Sequence, residues 1–225
     1  MNQSTNTVAR RGSSEAVFAT NKLIRNTYML LSMTLIFSAA TAGISMVTNI
    51  PHPGLLITLV TYFGLLFLIQ AFKDSAWGIV CVFALTGFMG LTLGPILNLY
   101  VSHFANGTEL IMTALGGTGA IFVGLSSYAL ATRKDFSFMG GFLFAGILVA
   151  FLAGIGAAIF ALPTLSLVVS GMFIILMSGL ILYQTSAMIH GGETNYILAT
   201  VTLYVSIYNL FMSLLHLLAL FSGRE

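Results

Sequence analysis

The chain alternates between long apolar runs and short polar breaks. Seven runs, at 26–48, 54–72, 77–101, 109–131, 137–160, 165–189 and 195–221, are separated by NIPHPG (49–54), KDS (73–75), SHFANGTE (102–109), RKD (133–135), LPT (162–164) and HGGETN (190–195). An α-helix needs about 20 apolar residues to cross a bilayer, and each run is near that length. Backbone groups cannot stay unpaired in lipid, so the runs are expected to be helices. The connections are short, so consecutive helices should be antiparallel neighbours. The pattern predicts an all-α membrane protein of seven transmembrane helices. Residues 1–25 form a tail, 26–221 the helical domain and 222–225 a short C-terminal tail.

Polar positions inside the runs refine this picture. In the last run Asn195, Ala199, Thr202, Ser206, Asn209, Ser213 and His216 recur at spacings of three and four, which places them on one helix face. The opposite face is Leu, Val, Ile, Tyr and Phe. A polar stripe in a bilayer turns towards protein or water. The seventh helix is therefore expected in the middle of the bundle, or lining a cavity. The stripe has two readings, hydrogen bonding between helices or the lining of a conduction or sensing path. Small residues four apart let helices approach closely in lipid. Such positions are Gly87, Gly90 and Gly94 in the third run, Gly116, Ala120 and Gly124 in the fourth, and Gly146, Ala150, Gly154 and Ala158 in the fifth. Pro95, beside Gly94, removes a backbone donor and should kink the third helix near Asn98.

Composition agrees with a lipid solvent. Of 225 residues 58% are hydrophobic and 6% charged, with a mean hydropathy of +1.01. A soluble domain carries charge on about a quarter of its surface residues. A net charge of +2, with no basic patch interleaved with aromatics, excludes nucleic acid as a partner. Lys and Arg mark the cytosolic side of short loops. With the tail inside, Arg10, Arg11, Lys22, Arg25, Lys73, Arg133 and Lys134 fall inside and Arg224 outside, a split of seven to one. The N-terminus is thus expected in the cytosol and the C-terminus in the periplasm. A re-entrant last run would return the C-terminus inside. The tail lacks the apolar core of a signal peptide, so no cleavage is expected. It reads as a disordered or interfacial segment, with Val17 and Phe18 on the membrane surface. The single cysteine, Cys81, lies in an apolar run and reads as a buried thiol.

No catalytic constellation is present, and no cofactor or enzymatic activity is expected. All six acidic residues, Glu15, Asp74, Glu109, Asp135, Glu193 and Glu225, lie in the tail, in loops or at span ends. At depth the polar set is Gln70, Asn98, Gln184, Ser206, Asn209 and His216. Only His216 among these titrates near neutral pH. A carboxylate-gated ion path is therefore disfavoured. His190 and Glu193 are three apart, but two ligands around Gly191 and Gly192 fall short of a metal site. The simpler reading is a tight turn. Gly191 or Gly192 ends the sixth helix in a left-handed conformation. Thr194 or Asn195 caps the seventh, and Glu193 and His190 complement the two helix dipoles.

The segments GFMGLTLGPILNLY (87–100), TRKDFSFMGG (132–141), LYQTSAMIHGGETNY (182–196) and LYVSIYNLFMSLL (203–215) resemble the Bax-inhibitor-1 family of seven-helix membrane proteins, over about residues 22–221. HGGETNY joined to LYVSIYNLF, with KLIRNTY (22–28), resembles its bacterial branch of FtsH modulators. That resemblance implies six helices around a central seventh, in the bacterial inner membrane. It implies a partner, the membrane-anchored AAA protease FtsH, together with that protease's membrane regulators. The implied role is inhibition that limits degradation of secretion-channel subunits. Family members carry an acidic pair on helices six and seven, proposed as a gate for a calcium or proton leak. The matching positions here are Gln184 and Ser206, both neutral. The resemblance thus favours a regulator over a leak channel. Gln184 and Ser206 are expected to face each other and to hydrogen-bond directly or through water.

Overall fold

The computed structural model of the protein describes residues 3–222, with side chains from Phe18 onward. Its elements are α1 (Gln3–Thr48), α2 (Leu55–Phe72), α3 (Ala76–His103), α4 (Gly107–Thr132), a 3-10 turn (Ser137–Met139), α5 (Gly140–Ile159), α6 (Pro163–His190) and α7 (Tyr196–Ser222). Seven segments, the first being Phe18–Thr48, are long and apolar enough to cross a membrane. The expected runs and breaks match these segments. The backbone from Gln3 is helical and continuous with the first span. Val17 lies before the described side chains, while Phe18 is exposed. Cys81 is half-buried rather than buried, because α3 turns that position partly outward.

α7 packs against α1, α2, α3, α4 and α6. None of its residues from Ile197 to Leu220 is exposed. α5 packs on α6, and it faces α7 across a cleft that Phe144, Ile147 and Phe151 line together with Val205 and Asn209 of α7. α7 runs the full height of the bundle. At its start the Asn195 side-chain amide donates to the Lys73 carbonyl at 2.9 Å, and at its end Asn106 donates to Ser222 Oγ at 2.7 Å. Twenty-seven helical residues give about 40 Å, enough to cross. That length is sufficient for a full span.

Glycine packing is concentrated at the α1–α3 seam. A Cβ on Gly87 would lie 2.7 Å from Phe37, and one on Gly94 2.5 Å from Ser45. On Gly90 it would collide with Thr41 Oγ1 and the Ser38 carbonyl. α3 is unbroken through Pro95. Proline has no N–H to give the Leu91 carbonyl one turn earlier. Ser45 Oγ of α1 donates to that carbonyl at 2.8 Å. Gly94 admits the serine, and the serine satisfies the group that proline orphans. Asn98 adds a bond to the Met46 carbonyl at 3.0 Å. On α5, Gly146 faces Leu176 and Ala150 is fully buried, as close packing requires. The stripe on α4 behaves otherwise. Gly116 and Gly124 have nothing within 4 Å, and Ala120 is exposed. α4 instead buries Leu110, Ile111, Ala114, Thr118, Ser126 and Ala129. Spacing alone does not say which of two faces meets protein when both are small or apolar.

Candidate functional site

Three turns meet at one end of the bundle. α6 closes at Gly191, whose φ of 79° is left-handed and suits a residue without Cβ. The Glu193 N–H then bonds the Ala187 carbonyl at 3.1 Å. Glu193 Oε1 accepts from the N–H groups of Thr194 and Asn195, each at 2.8 Å. Asn195 Oδ1 accepts from Ile197 and Leu198 N–H, so Asn195 is the cap of α7. Its amide nitrogen donates to the Lys73 carbonyl and to Asp74 Oδ1, both at 2.9 Å. Ser186 fastens the third turn. Its Oγ donates to the Lys134 carbonyl at 3.1 Å and accepts from Phe136 N–H at 2.9 Å. His190 Nδ1 lies 3.0 Å from the Ser186 carbonyl. His190 and Glu193 are thus engaged with the backbone of the turn. No group of three or more metal-binding side chains occurs among the described residues.

Asp135 belongs to the same end. Its Oδ1 accepts from Ser137 N–H at 2.8 Å. That bond, with the Ser137 hydroxyl and to a lesser degree His190, holds its carboxyl below the usual carboxylate range.

The polar stripe of α7 lies against α6 and the space beside it. Ser206 is fully buried, and its Oγ donates to its own helix at the Thr202 carbonyl, 2.7 Å away. Asn209 donates to the Val205 carbonyl at 2.8 Å, and lines a cleft with Tyr62, Phe173 and Met177. His216 Nε2 is 3.1 Å from Ser166 Oγ of α6. Gln184 is buried within α6 and does not face lipid. The expected direct bond between Gln184 and Ser206 is not formed. Ser206 has turned to its own backbone, as buried helical serines can. Among the described residues Gln184 Nε2 has no hydrogen-bond partner, and neither have Thr27 Oγ1 of α1 and Ser126 Oγ of α4. The stripe therefore joins helices only at its ends, through Asn195 and His216.

The central cross-link lies elsewhere. Tyr204 of α7 is 1% exposed, and its place in the sequence pattern is on the apolar face. Its hydroxyl is 2.7 Å from Ser38 Oγ of α1 and donates to the Thr86 carbonyl of α3 at 3.3 Å. The available signal is a tyrosine inside an aliphatic run, since a buried phenol needs a partner. Ser45 and Ser186 give no sequence signal beyond small size.

These features define a polytopic α-helical membrane protein with a polar but uncharged core and a tightly tied set of turns at one end. The chain belongs to the family described as inhibitor of apoptosis-promoting Bax1, which it matches over residues 20–223. It is 51% identical, over 93% of its length and 94% of the relative's, to the Modulator of FtsH protease YccA of Escherichia coli K12. The same identity and coverage hold for a protein of Escherichia coli O6:H1 named inner membrane protein YccA. An uncharacterised membrane protein of Vibrio cholerae is 41% identical over 96% of the chain and 97% of its own. None of these relatives is named as an enzyme. The chain is a multi-pass inner-membrane protein of this family.

Proposed function

We propose that the protein binds FtsH and restrains it, limiting degradation of membrane substrates such as secretion-channel subunits. The observation that carries this reading is the 51% identity, over 93% of the chain, with a relative named a modulator of that protease. The proposed orientation has a cytosolic N-terminus and a periplasmic C-terminus, supported by the distribution of Lys and Arg. The N-terminal segment is the proposed point of engagement, because an ATP-driven protease pulls on a terminus. In this reading residues 1–21 give FtsH its grip. Co-purification of the full chain with tagged FtsH from solubilised membranes tests the partner, and its failure rejects the proposal. Deleting residues 1–21 should slow turnover of the protein by FtsH, and unchanged turnover rejects the tail's role.

The second reading, a cation leak, draws support from the unpartnered amide of buried Gln184. Against it stand the neutral Gln184 and Ser206 where an acidic pair would be needed. Calcium or proton flux in proteoliposomes separates the two. Changing Gln184→Glu and Ser206→Asp together should make flux pH-dependent under the leak reading only.

A further inference from the structure

A cleft of about 420 Å³ opens at the end of the bundle that carries the three tied turns. It lies between α1, the C-terminus of α4 and the C-terminus of α6. Arg25, Arg133, Thr20 and Asn21 line it, together with the apolar Ile24, Leu130 and Ile189. No carboxylate is among these lining residues. The volume is in the range of small-ligand sites.

The charges around it are unbalanced. Lys22, Arg25, Lys73, Arg133 and Lys134 share this end with three described carboxylates, Asp74, Asp135 and Glu193. Each of those carboxylates is engaged by a neutral donor: Asp74 by the Asn195 amide, Asp135 by Ser137 N–H, and Glu193 by two backbone N–H groups. Arg25 and Arg133 thus line the cleft with no carboxylate among its described lining residues. The C-termini of α4 and α6 also point here. Each contributes roughly half a negative charge, which two full positive charges outweigh.

Arg133 carries a further mark. It caps α4 with a φ of 49°, a left-handed conformation in which glycine would sit without strain. An arginine held there is strained, and the residue lines the cleft. Guanidinium groups match phosphate by paired N–H donors, which an ammonium cannot do. Basic clefts between membrane helices at the interface suit phospholipid headgroups.

We propose that this cleft is a binding site for a phosphate group, held between Arg25 of α1 and Arg133 at the end of α4. Its apolar lining residues, Ile24, Leu130 and Ile189, suit the first carbons of an acyl-bearing molecule. An anionic phospholipid and a soluble anion both carry this chemistry, and the test separates them. The site is independent of any engagement with FtsH.

The experiment uses the full chain purified in neutral detergent and titrated with phosphatidylglycerol, phosphatidylcholine or inorganic phosphate. Native mass spectrometry counts bound molecules and thermal unfolding reads stabilisation. Retention of phosphatidylglycerol over phosphatidylcholine assigns the lipid source. Equal protection by inorganic phosphate assigns a soluble anion. In either case Arg25→Gln and Arg133→Gln should each weaken binding about tenfold, because each removes charge-assisted hydrogen bonds. Arg133→Gly should do the same while relieving the left-handed strain, which separates loss of binding from loss of folding. Lys73→Gln, at the same end but outside the cleft, should leave binding unchanged. Loss of binding in Lys73→Gln equal to that in Arg133→Gln would show diffuse surface charge and overturn the site. Undiminished binding when Arg25→Gln and Arg133→Gln are combined, or no retention of either phosphatidylglycerol or phosphate by the native chain, would also overturn it.

Discussion

Single residues here act mainly by satisfying particular backbone groups. Ser45 is the clearest case, because it supplies the Leu91 carbonyl with the donor that Pro95 lacks. Ser45→Ala should destabilise the bundle by about 1–3 kcal/mol, the usual effect of leaving a buried acceptor unmade. Unfolding in mixed micelles measures it, and a change within error would show that Leu91 needs no donor. Asp135 acts on a surface turn. Its carboxyl is held below the usual value near 3.9, so the ionised form is favoured in the folded chain. Its contribution to the 133–137 turn is therefore present above about pH 4 and fades as pH falls through the lowered folded value. Hydrogen exchange at the Ser137 amide, corrected for its intrinsic rate, should lose protection on acidification through that window. Asp135→Asn should remove the pH dependence.

At the scale of elements, ends and seams carry the specificity. A Cβ on Gly191 would meet nothing within 4 Å, so space does not explain its presence. Its φ of 79° does. Gly191→Ala should cost about 1 kcal/mol through backbone strain alone, and Gly191→Asn less. Asn195→Ala removes both the cap and the tie to the 73–75 turn. It should cost about 1–2 kcal/mol and speed amide exchange in the first turn of α7. Glycines in different helices should respond oppositely. Gly90→Ala drives a methyl into the Ser38 carbonyl and Thr41 hydroxyl, whereas Gly116→Ala meets nothing within 4 Å. The first should destabilise by about 1–3 kcal/mol and the second should be neutral or mildly stabilising. Equal effects in unfolding experiments would contradict the assignment of the α1–α3 seam.

At the scale of the molecule, α7 organises the bundle and α5 closes its side through α6. α7 is enclosed along its length, yet its polar stripe is largely satisfied by its own backbone. This arrangement gives a core that is polar without being charged. It fits a protein whose work is done through its surfaces and termini better than one that moves ions through its centre. Cysteine accessibility or reporter fusions at Gly54 and Arg133 should place these two sites on opposite sides of the membrane, with Arg133 cytosolic. Labelling of both from one side would refute the topology.

The order of runs and breaks, read with the length a helix needs to span lipid, was sufficient for seven helices, their approximate boundaries and the central place of the last. These follow from local chemistry, because the bilayer demands internal hydrogen bonding and tolerates few charges. A left-handed end at Gly191 or Gly192 and a cap at Thr194 or Asn195 were equally local, and the tertiary structure selects Gly191 and Asn195. Which glycine stripe meets protein, which carbonyl Ser45 reaches and which face of α7 holds the central cross-link were not. Ser38, Thr86 and Tyr204 lie on three helices and meet only when the bundle closes. Arg25 and Arg133 are likewise 108 positions apart (133 less 25) and share a cleft only because α1 and α4 come together at the same end. Contacts at that separation depend on helix rotation and neighbour choice, which periodicity constrains but tertiary packing alone decides.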